Sequence, residues 1–313
     1  MSDAIHVAVG VIVGADQKIL IARRPPDVHQ GDLWEFPGGK LEPDEPVLMA
    51  LQRELREELG IDIEPDHCFP LKKILHRYND RSVLLDTWRV DRFQGEPTGR
   101  EQQEVMWQSI EALNPQDFPA GNREIISALQ LPTVLAITGH CESRAEFRDR
   151  IAALLARGVR LIQFRQPALA GAEFFEWAND ALQLCRANNA WLLINGSPEE
   201  FNQLNADGLH VNAPRLRDLE SRPVSKESLF GASCHNLAEL VKAEQLGADF
   251  ALLSPVNTTP SHPRAEPLGW EQFRFLASQV SIPVYALGGM MPDDLATARR
   301  EGGHGIAAIS AFW

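Results

Sequence analysis

The chain opens on alternating apolar and polar positions, passes into apolar positions spaced three and four apart, and then alternates again. Ile5 to Val13 reads as a strand, Gly14-Ala15-Asp16 as a turn, and Lys18 to Arg24 as a second strand. From about Pro46 to Leu59 the period is helical, with Leu48, Leu51, Leu55 and Leu59 on one face and Gly60 as a stop. Leu71 to Tyr78 and Ser82 to Phe93 read as strands around a turn at Asn79-Asp80, and a loop rich in Gly, Glu and Gln runs to about Glu104. Val105 to Gln108 predicts one more strand and Glu124 to Leu129 a closing helix, so residues 1–130 read as an α+β sandwich.

Around Leu131-Pro132 the pattern changes. Short apolar strands beginning at Val134, Leu161, Trp191, Gly208, Leu229, Phe250, Val284 and Ile306 then alternate with helical stretches over 144–156, 172–188, 237–245, 270–279 and 293–300. Eight such strands within residues 131–313 predict a compact α/β domain, a (β/α)8 TIM barrel. Barrels carry their sites at the strand C-terminal ends. Gln163, Arg165, Asn195, His210, Ser233, His235, Ser254, Gly288, Gly289 and Ser310 are therefore expected around one mouth.

Composition narrows the function. At 313 residues the chain has ample core for two medium domains. No apolar run is long enough to span a bilayer, and MSDAIHVAVG has no basic segment ahead of its apolar stretch, which predicts a cytoplasmic protein with no membrane partner. Cys68, Cys141, Cys185 and Cys234 lie far apart and form no CxxC pair, so reduced, buried thiols are expected rather than a zinc site or a disulfide framework. The formal charge of −13 argues against direct nucleic-acid binding and leaves room for a small nucleotide, whose phosphates a metal ion and a few arginines neutralise locally.

Glu54, Glu57 and Glu58 share the polar face of the first helix within one turn, where like charges repel unless a cation sits among them. Oxygen ligands without His or Cys favour Mg2+ or Mn2+, and Mg2+ characteristically couples a few carboxylates to substrate phosphates. The competing reading is a solvated acidic face. Against it stands the loop Phe36-Pro37-Gly38-Gly39, which lets the backbone approach closely just before the helix. Gly39, Glu45, Arg53, Glu54, Leu55, Glu57, Glu58, Gly60 and Ile61 match every fixed position of the Nudix box, G-x5-E-x7-R-E-U-x-E-E-x-G-U with U aliphatic. The stretch thus resembles the Nudix hydrolases, which implies cleavage of a diphosphate linked to another moiety.

Beyond the box, residues 3–130 resemble the MutT-type 8-oxo-dGTP diphosphatases, through Ala8-Val9-Gly10, Ala22-Arg23-Arg24, Glu35-Phe36-Pro37-Gly38-Gly39-Lys40, Gly95-Glu96-Pro97 and Asp117-Phe118-Pro119-Ala120-Gly121-Asn122. This resemblance implies that Arg23 and Arg81 contact the nucleotide, that Phe36 packs near the base, and that Asn122 hydrogen-bonds the purine edge. Glu57 and Glu58 would hold the metal with the Gly38 carbonyl, while Glu54 and Glu101 are both candidates to complete the metal site or act as base. Arg53 would orient the carboxylates. Each residue also has a structural alternative: ion pairs for the arginines, core packing for Phe36, and the N-cap of the following helix for Asn122. The expected reaction is metal-assisted attack of water on the β-phosphorus of a nucleoside triphosphate, releasing pyrophosphate.

Residues 133–312 carry a second resemblance, to thiamine phosphate synthase and its TenI-like relatives. It rests on Gln163-Phe164-Arg165, Ala206-Asp207-Gly208-Leu209-His210, Gly231-Ala232-Ser233-Cys234-His235, Leu253-Ser254-Pro255-Val256, Ala286-Leu287-Gly288-Gly289-Met290 and Gly305 to Ala311. Gln163, Arg165, Asn195, Ser233, Gly288, Gly289 and Ser310 are the ligand candidates, with phosphate expected at Gly288-Gly289 and Ser310-Ala311. The chain departs from the synthase pattern at Pro167, at Asn195-Gly196-Ser197, at Asn212-Ala213-Pro214-Arg215 and at His262, where the family has a lysine, a metal aspartate, a second metal aspartate and a phosphate-binding lysine. A diphosphate leaving group without its metal is poorly stabilised, so a barrel without synthase activity is expected. Two alternatives keep the Nudix chemistry. One takes a thiamine-pathway pyrophosphate as substrate, and the other makes the barrel a non-catalytic phosphate-binding regulatory module.

Overall fold

The computed structural model describes residues 4–28, 30–78, 82–100, 103–259 and 266–313, which form two compact units, Met1–Leu131 and Pro132–Trp313. In the first, β1 (Ile5–Ile12), β2 (Ile19–Arg23), β3 (Trp34–Glu35) and β4 (Gly38–Lys40) precede α1 (Val47–Leu59). They are followed by β5 (Asp62–Ile63), β6 (Cys68–Arg77), β7 (Ser82–Val90), β8 (Phe93–Gln94), β9 (Val105–Gln108) and α2 (Arg123–Leu129). The main sheet runs β4-β1-β7-β6, and a smaller one runs β3-β2-β9.

Strand alternation in β1 builds two cores at once. Ala8 and Ile12 join Ala50, Leu51, Leu55 and Leu59 of α1, while Val9 and Val11 join Phe36, Phe118, Ile125 and Ile126 toward α2. The sheet is thus filled on both faces, the α+β sandwich the pattern predicts. The α1 helix stops where expected: Gly60 takes a left-handed φ of 73°, and its N–H reaches back to Arg56. With its apolar stripe buried, α1 leaves its glutamates on the face toward β4. There β4 pairs antiparallel with β1, Ala8 opposite Gly39 and Val9 opposite Gly38.

The second unit is a closed barrel of eight parallel strands: β10 (Val134–Ile137), β11 (Leu161–Phe164), β12 (Trp191–Asn195), β13 (Gly208–Val211), β14 (Leu229–Cys234), β15 (Phe250–Leu253), β16 (Val284–Leu287) and β17 (Gly305–Ala308). Between them run α3 (Arg144–Ala156), α4 (Gly171–Ala187), α5 (Pro198–Leu204), α6 (Ala213–Asp218), α7 (Leu237–Gln245), α8 (Gly269–Ala277) and α9 (Leu295–Arg300). The barrel closes where Val134 to Ala136 pair with Ile306 to Ala308. Sequence periodicity predicts all eight strands and misses α5 and α6. These two have seven and six residues and start from side-chain caps, Ser197 and Asn212, rather than from an apolar period. No helix among the described residues is long and apolar enough to cross a membrane, and all four cysteines are buried and unpaired.

Candidate functional site

The acidic face of α1 is organised by Arg53. Its Nε and Nη2 donate to the two oxygens of Glu45 at 3.0 and 2.8 Å, its Nη1 donates to Glu54 Oε1 at 2.7 Å, and Nη2 also reaches the Lys40 carbonyl at 3.0 Å. One guanidinium therefore ties the loop before the helix, the end of β4 and the helix itself into one unit. The Arg53 pKa is raised, first by its bond to Glu45, and the Glu45 carboxyl is held below its ordinary value, first by Arg53. Glu57 is exposed, with its carboxylate 3.9 Å from Arg53 Nη1. Glu58 Oε2 accepts the Gly38 N–H at 3.1 Å.

Two glycines make this approach possible. A Cβ on Gly39 would lie 2.1 Å from the Glu54 carboxyl carbon, and one on Gly38, at φ +141°, would lie 2.1 Å from the Ala8 carbonyl oxygen. The donor set is of hard oxygens pressed against open backbone, which fits Mg2+ or Mn2+. Among the described residues no three His, Cys, Asp or Glu side chains converge as a preformed metal centre. Glu54 and Glu58 are instead held by Arg53 and by backbone N–H.

Beside this face opens a cleft of about 260 Å³ lined by Arg24, Glu35, Phe36, Gly38, Gly39, His76, Tyr78 and Asn122, among others. Phe36 stacks on Phe118 with ring centroids 5.4 Å apart and is buried, so it serves both cleft and core. Asn122 precedes α2 but makes no side-chain cap bond. Its Oδ1 accepts the Phe36 N–H at 3.5 Å, which decides against the capping alternative. Arg23, expected at the nucleotide, does not line the cleft: it is exposed, faces Glu104 at 3.4 Å and stands 6.0 Å over the Trp34 ring. The next residue, Arg24, takes the cleft position and is ion-paired with Glu35. The reason is strand alternation, since neighbouring side chains project to opposite faces. Burial raises the Glu35 carboxyl pKa, and Arg24 opposes the rise. Arg81 and Glu101 lie outside the described residues. Arg24 and Glu35 are the residues sequence reasoning missed, although both stand inside the motifs that were read.

In the barrel, the residues expected around the mouth divide between two adjoining cavities. Gln163, Arg165, Asn195 and Ser233 line one of about 620 Å³, Gly288, Gly289 and Ser310 line the other of about 320 Å³, and His235 and Ser254 line both. His210 lines neither. It is fully buried, its Nε2 2.9 Å from Ser233 Oγ, and burial pushes its pKa down to about 3, so it is a neutral packed side chain that fixes the Ser233 hydroxyl. His235 Nδ1 lies 2.8 Å from the Ser254 carbonyl, which makes Nδ1 the protonated nitrogen. Gly288 and Gly289 take φ of 98° and 67°, a turn that a Cβ would drive into Pro255 and the Thr258 carbonyl. His262 lies outside the described residues.

Comparison with known proteins divides the chain at the same place. The model of the NUDIX domain matches residues 8–128, and that of thiamine monophosphate synthase matches residues 134–312. The 8-oxo-dGTP diphosphatase of Escherichia coli is 40% identical over 126 residues, 40% of this chain and 96% of that one. The "Putative thiamine-phosphate synthase 2" of Aquifex aeolicus is 34% identical over 184 residues, 59% of this chain and 99% of that one. A solved thiamine phosphate pyrophosphorylase from Pyrococcus furiosus is 26% identical, with a TM-score of 0.49 over 57% of this chain and 86% of that one.

Proposed function

Because the chain belongs to the Nudix family over residues 8–128 and to the thiamine monophosphate synthase family over residues 134–312, we propose that its Nudix hydrolase half converts 8-oxo-dGTP to 8-oxo-dGMP and pyrophosphate. Such an activity cleanses the nucleotide pool of an oxidised, mutagenic precursor. The observation that carries the substrate is Asn122. It is freed from capping and held by the Phe36 N–H at the end of a cleft whose other walls are Phe36, His76 and Tyr78. Its amide nitrogen offers donors and its Oδ1 retains a second lone pair. That pairing suits the O6 acceptor and N7–H donor of 8-oxoguanine. In normal guanine N7 is an acceptor and would face Oδ1 as a repulsive partner.

In this reading the chain's residues do the following work. Arg24 takes the nucleotide-binding role first expected of Arg23, and the half-buried Glu35 positions it. Glu57, Glu58 and the Gly38 carbonyl would hold Mg2+ or Mn2+, with Glu54 and Glu101 beside them. When bound, the ion neutralises phosphoryl charge and lowers the pKa of water. Arg53 fixes Glu54 through Oε1 and leaves Oε2 free to receive a proton from the attacking water. Water attack at the β-phosphorus then expels the nucleoside monophosphate.

The barrel, on the same reading, makes no thiamine phosphate. Asn195-Gly196-Ser197 and the run Asn212-Ala213-Pro214-Arg215 stand where the resemblance requires the metal-holding aspartates. The test of the substrate assignment is Asn122→Ala. Its ratio of kcat/KM for 8-oxo-dGTP over dGTP should fall about tenfold or more, the scale of one recognition group lost from a buried site, with kcat on dGTP little changed. An equal loss on both substrates would make Asn122 a scaffold residue.

A further inference from the structure

The barrel mouth is positive where a metal-holding site would be negative. We propose that it binds a diphosphate group, free or esterified, without a divalent metal, the guanidiniums of Arg165 and Arg215 supplying the charge that a carboxylate-held cation would bring. The inference rests on the reading of the barrel as lacking synthase chemistry in one respect, the loss of both aspartates.

Among the described residues lining the larger cavity there is no Asp, and the one Glu is already engaged. Glu200 Oε2 accepts the Ser197 N–H at 2.7 Å while the Ser197 hydroxyl accepts the Glu200 N–H at 3.2 Å, a reciprocal cap that starts α5. Glu200 is therefore committed to the fold. Both arginines are exposed, and each is fixed only through its backbone. The Arg165 N–H donates to Thr138 Oγ1 at 2.9 Å, and the Arg215 N–H donates to Asn212 Oδ1 at 3.0 Å. Neither guanidinium has an ion pair or hydrogen bond with a described residue. Arg215 also acts on Glu199, whose carboxyl is held below its ordinary value first by the Ser197 hydroxyl and to a smaller degree by Arg215.

A third group asks for an acceptor. Gln163 is 1% exposed on the wall of the same cavity, and its Nε2 has no hydrogen-bond partner among the described residues. Its Oε1 is already an acceptor for Asn195 Nδ2 at 3.5 Å. Leaving a buried amide donor unpaired costs about 1–3 kcal/mol, which an oxygen-rich ligand would recover. Two guanidiniums from separate parts of the barrel, one after β11 and one in α6, suit the two phosphoryl groups of a diphosphate better than the single group of a monoester. At about 620 Å³ the cavity has room for it, and the adjoining apolar space beside Met290 and Leu287 would take an organic remainder.

The test is calorimetry on the full chain in EDTA with inorganic diphosphate, methyl diphosphate and inorganic phosphate. EDTA strips any cation from the acidic helix face, where an anion would then be repelled. The expected result is saturable binding of one diphosphate per chain, tighter than phosphate, weakened about tenfold or more in Arg165→Gln and in Arg215→Gln at unchanged Tm, and retained in Glu57→Gln. Tighter binding of methyl diphosphate would identify an esterified ligand, and equal or weaker binding a free one. The proposal is overturned by no binding in EDTA, by binding that appears only with Mg2+, by phosphate binding as tightly as diphosphate, or by binding that both arginine variants leave intact. Thiamine phosphate formed from its precursors with Mg2+ would refute the inactive barrel separately, without altering the EDTA result.

Discussion

The acidic face of α1 and the mouth of the barrel differ in charge, and in the readings proposed above they would handle phosphate in opposite ways. On α1 three carboxylates are gathered within one turn, Glu54 and Glu57 beside Arg53 and Glu58 on the Gly38 N–H, and in the proposed reading a bound cation would supply positive charge to a substrate there. In the mouth the carboxylates are gone or committed to caps, and arginines face the cavity directly. The buried titratable groups follow the same division. Half-buried Glu35 is paired with Arg24, whereas fully buried His210 is kept neutral and packed. The lesson is that a family match fixes a scaffold, while the sign of the charge at the mouth decides whether metal-dependent chemistry is available there.

The comparison can be broken most decisively at Glu57. Glu57→Gln should lower Mg2+-dependent hydrolysis on the order of 10²–10³-fold with unchanged circular dichroism, because it removes a charged ligand from the cluster while relieving its repulsion. Wild-type turnover in that variant would sink the metal assignment. A smaller loss is expected at Arg53. Arg53→Lys keeps the charge but cannot bridge Glu45, Glu54 and Lys40 at once, so kcat should fall about 10–100-fold with little change in KM. A drop confined to KM would instead place Arg53 on the substrate.

The smallest effect lies beneath the barrel mouth and appears as pH dependence. His210 takes up a proton at about 3 in the fold and at 6.5 when unfolded, so the unfolded chain binds more protons between those values and stability falls as pH drops through that window. The contribution is fully present above about pH 6.5 and is lost progressively as pH falls toward 3. His210→Gln should therefore flatten the decline of Tm from pH 6.5 to 4, and an identical decline in both proteins would show that His210 is not the group responsible.

Much of this architecture was legible in the sequence where one local signal suffices. The leucine period and Gly60 locate α1 to within a residue, and eight apolar runs locate the barrel strands. What escaped depends on which face a side chain takes or on pairing at a distance. Arg23 and Arg24 are indistinguishable in a motif, and only the end of β2 assigns one to solvent and the other to the cleft. For Asn122 the sequence offers both the purine edge and an N-cap, and only its partner Phe36, 86 residues away, removes the cap. His210 is expected at the barrel mouth as a packed, hydrogen-bonded side chain rather than a catalytic one; it is packed, but fully buried against Phe250 and away from the cavities. The β3 and β4 strands were hidden because two or three residues carry no period, and the glycines of β4 read only as loop.

The measurement that bears most directly on the central claim is hydrolysis by the full chain with Mg2+ of 8-oxo-dGTP, dGTP, ADP-ribose and the pyrimidine diphosphate precursor of thiamine phosphate, read as pyrophosphate from the two triphosphates, AMP from ADP-ribose and orthophosphate from the pyrimidine diphosphate. A kcat/KM for 8-oxo-dGTP at least about a hundredfold above that for dGTP is expected, since each wrong pairing at the purine edge costs several kcal/mol in a closed site. Equal turnover of the two purine nucleotides would contradict the account, and a preference for the pyrimidine diphosphate would contradict it and place both halves of the chain in one pathway.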